Sequence, residues 1–248
     1  DALASDNNTL KETAIRVSGA VAETSSYARD VILCTGVFDQ LCEIAKDSET
    51  EMEENACESI SKVFTKPEDI EKETLVYAVS LMQPLLQLES VTSISFVLTA
   101  FTSISCEMAS QIFEYHQIGL YTKAVHWLKE PELTPVCLKL IGNVSNGKLS
   151  HIEDMLKEGM FEELMNLIET EYTADVLWIF SNLVESATSM VKDLFTTDFI
   201  DRVIEFAQNS GFDVKREASY FIATYILFID PEKVSHCVRS ETVEILVE

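Results

Sequence analysis

The stretch VLWIFSNL at 176–183 sets Trp178 four residues ahead of Asn182, and LKLIGNVS at 138–145 sets Lys139 four ahead of Asn143. Residues four apart stack on one face of a helix. Each pair therefore offers a flat or cationic platform with an amide beside it, which is what an extended peptide needs: a wall for a side chain and a partner for its backbone. This is the chemistry of recognition. The residue types that make and break bonds are not arranged for it. There is no glycine-rich phosphate loop and no GxSxG, and His116, His126, His151 and His236 lack the HExxH spacing of a metal site. The chain reads as a binding protein, not an enzyme, with no catalytic residue, metal or cofactor expected.

The elements that would carry these platforms are helical. Apolar residues recur at helical spacing in LCEIAKD, LMQPLLQLE, FEELMNLIE and DRVIEFAQ, each followed by a polar break. Laying the third helix of each unit on the next aligns TAIRVSGAVA, ACESISKVFT, SFVLTAFTSI, CLKLIGNVSN, VLWIFSNLVE and SYFIATYILF, with Ala20, Lys62, Phe101, Asn143, Asn182 and Thr224 in common phase. Their separations are 42, 39, 42, 39 and 42 residues. A period of about 40 with three helices per unit is the armadillo class. The expected fold is an all-α armadillo-repeat solenoid of about six repeats, a single array over residues 1–248. A short helix in each unit (SYARDVILC, EMASQIFEY, SHIEDMLKE, SMVKDLFTT, PEKVSHCVR) is expected to lead into a joint where Gly36, Gly119 and Gly159 recur and a helix ends on a left-handed residue. The segment KPEDIEKET at 66–74 is irregular and reads as a loop replacing a short helix, and the acidic run ETEMEEN at 49–55 reads as a helix start.

Composition narrows the partners. With 42 acidic against 18 basic residues the formal charge is −24, which repels nucleic acid and acidic lipid and attracts basic partners. The apolar run YFIATYILFI at 220–229 falls well short of the ~20 residues a membrane helix needs, so no membrane insertion is expected. The six cysteines form no CxxC pair and mostly sit in apolar helical patterns, pointing to buried thiols in a reducing compartment. The chain opens on Asp1, without a methionine, and stops within a repeat, so further sequence is expected at either end.

PVCLKLIGNVSNG, EGMFEELMNLI, VLWIFSNL and GFDVKREASYFIATY followed by PEKVSHCVRSETVEIL resemble importin-α, the armadillo adaptor that binds nuclear localisation signals. In the first half, ETAIRVSGAVAETSSYARDVILCTGVF resembles an early repeat. The resemblance implies a right-handed superhelix whose third helices line a concave groove. There, Trp side chains receive the stems of Lys or Arg, Asn side chains hydrogen-bond the peptide backbone, and carboxylates pair with the cationic heads. Carried onto this chain, Trp178 and Asn182 are the family pair, and Lys139 stands where the family has Arg ahead of its Asn, here Asn143. Asp175 and Glu217 stand at the groove carboxylates, Tyr220 replaces the next Trp and Thr224 the next Asn. The implied function is nuclear import of cargo bearing basic localisation signals, at a minor-site-like region on the later repeats, in cytoplasm and nucleus.

The first half departs from that pattern. Arg16 and Ala20, Glu58 and Lys62, and Val97 and Phe101 occupy the Trp and Asn positions, and Arg16 and Lys62 oppose a basic peptide. No Arg/Lys-rich segment precedes residue 9, so importin-β is expected as a partner only if such a segment exists upstream. The alternative reading is a non-transport armadillo scaffold that holds a fixed, acidic partner on this altered early groove.

Overall fold

The computed structural model describes residues 2–48, 50–67, 69–116 and 119–229, the side chains of Thr50 and residues 106–116 apart. The last short helix expected, PEKVSHCVR with His236 and Cys237, lies outside the described residues. Among the described residues there are thirteen α-helices, one 3-10 turn and no strand.

They gather into two compact units. The first spans residues 1–120 and 130–140 and holds α1 (Asn8–Thr24), α2 (Ser26–Cys34), α3 (Val37–Asp47), α4 (Thr50–Val63), α5 (Lys72–Met82), a 3-10 turn at Gln83–Gln87 and α6 (Val91–His116). The second spans 121–129 and 141–248. It holds α7 (Leu120–Trp127) from its second residue on, the end of α8 (Thr134–Ser145), α9 (Leu149–Lys157), α10 (Met160–Leu167), α11 (Thr173–Val191), α12 (Thr197–Asn209) and α13 (Phe212–Phe228).

Local chemistry sets the helix ends. The side chains of Asn7, Ser25 and Thr196 accept from the backbone N–H of Leu10, Ala28 and Phe199, capping α1, α2 and α12. Glu51 and Glu53 sit in the first turn of α4, the favourable end of its dipole. Gly36, Gly119 and Gly159 adopt φ of +76°, +61° and +87°. This is the left-handed region, where a Cβ is strained, and the shared joint expected from their spacing is present.

Each unit has its own core. In the first, α3 buries Phe38, Leu41, Cys42, Ile44 and Ala45 along one face, with Phe38 edge-on to Phe64 at 5.6 Å. α1 and α4 pack closely because neither has bulk between them: Gly19 faces Ser59, where a Cβ would lie 2.8 Å from Ser59 Cα, and Ser59 Oγ donates to the Ile15 carbonyl at 2.9 Å. In the second, Phe161, Phe180, Phe195, Phe199, Phe221 and Tyr225 form one aromatic cluster, with successive ring centroids 5.2–6.1 Å apart.

Three expectations need adjusting. The short helix expected at EMASQIFEY is not separate, because no Gly or Pro stands between Ile104 and His116 and α6 runs unbroken through it. SMVKDLFTT begins inside α11, which merges two helices across a kink at Ala187 (φ −135°, ψ 33°). Val97 and Phe101 are fully buried; the outward stripe of α6 instead carries Thr92, Ser95, Phe96 and Thr99.

Cys42, Cys57 and Cys137 are buried and Cys34 is exposed. Burial pushes the Cys57 and Cys137 thiols up to about 12 and raises Cys42 further. Folded chain treated with a thiol reagent near pH 8 is therefore expected to label at Cys34 and to spare these three until it is unfolded, as peptide mass mapping would show. Equal labelling of Cys57 in the native protein would contradict this packing.

Candidate peptide-binding site

In the second unit, α11 presents Asp175 in its first turn and Trp178 in the next, and α13 presents Glu217 and Tyr220. An open cavity of about 270 Å³ is lined by Ala174, Asp175, Trp178, Arg216 and Glu217. It joins one aromatic face to two carboxylates from neighbouring helices. Asp175 and Trp178 are part-buried, and the Glu217 side chain is 15% exposed. Tyr220, one helical turn after Glu217, is 51% exposed. A Lys or Arg stem laid on the indole would bring its cation to both carboxylates, where the partly excluded water strengthens the attraction.

Trp178 holds its place through a residue that the spacing of platforms did not single out. Gly142 on α8 lies directly under the indole: a Cβ there would come within 1.9 Å of Trp178 Cζ3 and 2.3 Å of Cη2. The ring rests on bare backbone. The sequence signal was a glycine inside a helix, LIGNVS, where the residue costs about 1 kcal/mol against alanine and needs a packing reason.

The amides divide. Asn143 is part-buried on α8. Asn182, expected to grip a peptide backbone, is only 6% exposed, and its Nδ2 donates to the Gly142 carbonyl at 3.2 Å. One turn later Ser186 Oγ donates to the Ser145 carbonyl at 2.6 Å. The Asn182 amide thus ties α11 to α8. Thr224, expected to offer a hydroxyl, is 5% exposed; packing turns it inward. Lys139 is exposed on α8. The structure therefore brings Asp175, Trp178 and Glu217 together, leaves Tyr220 open beside Glu217, and turns Asn182 and Thr224 away from the surface.

Arg216 was also missed. Its Nε lies 2.9 Å from Glu217 Oε1, its Nη1 3.5 Å from Asp213 Oδ1, and its guanidinium 6.0 Å from the Phe212 ring. The cavity already contains a cation competing for one of its carboxylates. Exposed ion pairs of this kind contribute about 1 kcal/mol or less, so Arg216→Ala is expected to tighten binding of a basic peptide by up to roughly fivefold. Fluorescence anisotropy of the variant beside the parent measures it, and weaker binding would mean that Arg216 contacts the ligand instead.

The first unit shows no comparable aromatic platform at its expected positions. Arg16 Nε donates to Asn55 Oδ1 at 3.2 Å, and Lys62 Nζ pairs with Glu58 at 2.7 Å one turn back on α4. The two charges expected to oppose a basic peptide are both engaged by neighbours.

No sequence-family model matches the chain, and no curated protein does. Solved structures do. One designed armadillo-repeat protein aligns at TM-score 0.77 with 17% identity, covering 90% of this chain and 96% of its own. Another, solved in complex with the peptide (KR)4, aligns at 0.79 with 17% identity over the same shares. An engineered protein aligns at 0.77 with 16% identity, over 92% and 95%. At such identities the likeness is one of fold: this chain is an all-α armadillo-repeat solenoid.

Proposed function

We propose that this armadillo-repeat protein is an adaptor that binds a short basic peptide in extended form on α11 and α13. A Lys or Arg stem lies along Trp178, its head is held by Asp175 and Glu217, and Tyr220 flanks the next side chain. The observation that carries the reading is the convergence of one indole face and two carboxylates on a single open cavity. Support at the level of fold comes from the designed armadillo protein whose complex holds a (KR)4 peptide. With the resemblance of GFDVKREASYFIATY and VLWIFSNL to importin-α, the ligand class is a nuclear localisation signal and the role is import of its bearer from cytoplasm to nucleus.

The test is a titration of the chain with a fluorescent Lys/Arg-rich localisation peptide, at two ionic strengths, beside a version with its lysines replaced by alanine. Saturable binding is expected only with the lysines present. It should weaken as salt shortens the reach of the −24 charge. Equal affinity for the alanine peptide would refute the reading.

A further inference from the structure

The peptide cavity opens onto a ridge that a basic side chain does not use. On α13, Phe212, Arg216 and Tyr220 follow one another at four-residue spacing, so they share one face of the helix. Phe212 is 77% exposed and Tyr220 is half-exposed. Single rings in water are ordinary, but two that flank a cation beside a binding cavity form a surface. Arg216 also lines the cavity with Trp178, so ridge and cavity are continuous.

Arg216 decides what fits there. Its charge is already answered: Nε donates to Glu217 Oε1 at 2.9 Å, and Nη1 lies 3.5 Å from Asp213 Oδ1. A ligand carboxylate would have to displace both partners and enter beside Asp175, Asp213 and Glu217, in a chain at −24. What remains for a ligand is the flat face of the guanidinium. Its carbon lies 6.0 Å from the Phe212 ring. Tyr220, one turn further on, enters neither a ring pair nor a cation–π pair among the described residues. Guanidinium planes and phenol rings both stack on aromatic side chains.

We infer, on the basis of the peptide site proposed above, that its ligand carries an aromatic side chain beside the lysine or arginine, and that this ring seats between Arg216 and Tyr220. In an extended chain, residues two apart point to the same side and lie about 7 Å apart, while packed helices stand about 8–10 Å apart. With the lysine in the cavity between α11 and α13, the side chain two residues away reaches the ridge of α13. The ligand class is a basic segment with Trp, Tyr or Phe two residues from its cation. A segment of lysines and arginines alone fills the cavity and leaves the ridge bare.

The test is fluorescence anisotropy with a labelled Lys/Arg-rich peptide whose residue two before, or two after, the central lysine is Ala, Trp or Glu, beside a control with its lysines replaced by alanine. At one of the two positions Trp is expected to tighten binding roughly fivefold or more over Ala, and the position that gains gives the direction of the bound chain. Salt should leave that ratio nearly unchanged, because the ring adds no charge. In Arg216→Ala, at an exposed position, the Ala peptide should tighten as its lysine gains Glu217, while the advantage of Trp shrinks to about twofold or less. Tyr220→Ala, also exposed, should shrink the same ratio. Equal affinity for the Ala and Trp peptides, both above the lysine-free control, overturns the aromatic seat and leaves the peptide site standing; no binding by any lysine-bearing peptide overturns both. Greater tightening by Glu than by Trp would show Arg216 recognising charge, and a Trp gain that persists in both variants would show unspecific adhesion; either result overturns the seat.

Discussion

Trp178→Ala is expected to weaken a Lys/Arg-rich peptide by about 2 kcal/mol, roughly 30-fold in Kd, while leaving the helical content intact. Among the described residues, the indole is the only ring in the cavity lined by Ala174, Asp175, Arg216 and Glu217. Its loss removes the surface that orients the lysine stem and widens the gap between stem and carboxylates. Charge alone cannot replace it: the remaining attraction is long-ranged and shared by much of a chain at −24, so it should survive as weak, salt-sensitive binding indifferent to peptide sequence. Tyr220→Ala should cost less, because that ring is 51% exposed and contributes little desolvation. Anisotropy titrations of both variants at two salt concentrations separate these effects. A Trp178→Ala protein that binds as the parent does would remove the site from α11.

Gly142→Ala should damage the same site from beneath. A methyl at that position would lie 1.9, 2.3 and 2.8 Å from three indole carbons, distances no packing tolerates, so either the ring or α8 must move. Alanine is the better helix former by about 1 kcal/mol, but overpacking commonly costs about 1–3 kcal/mol. The Asn182 to Gly142 and Ser186 to Ser145 hydrogen bonds resist any separation of the helices. The expected result is a net loss of about 1–2 kcal/mol of stability together with peptide binding weakened about as much as by removing the ring. The double variant Gly142→Ala/Trp178→Ala discriminates: without the ring the methyl has room, and alanine at 142 should then be neutral or stabilising. A Gly142→Ala chain with unchanged urea midpoint and unchanged peptide affinity would show that the indole does not depend on bare backbone beneath it.

The period of about 40, the third helices and the glycine joints were legible in the amino-acid sequence because each is a local property. Apolar spacing reports which face of a helix is buried, and a left-handed turn favours glycine wherever it occurs. Trp178 could be found the same way, from its residue type and its four-residue spacing to Asn182; Asp175 and Glu217 came with the resemblance to importin-α, each three residues ahead of an aromatic on its own helix, α11 and α13. What the tertiary structure decided is how far apart neighbouring helices stand. That distance depends on a residue some 40 positions away: bare Gly142 lets α11 approach α8 until the Asn182 amide reaches a backbone carbonyl and the indole lies flat on backbone. An amide in the same phase on α8, Asn143, stays only part-buried. The same holds for charge. Lys62 was expected to oppose a basic peptide and Arg216 was not singled out, but side-chain reach across one turn or one residue gives each a carboxylate partner. Periodicity determined the helices; the absence of a side chain at one position determined where they meet and which polar groups remain for a ligand.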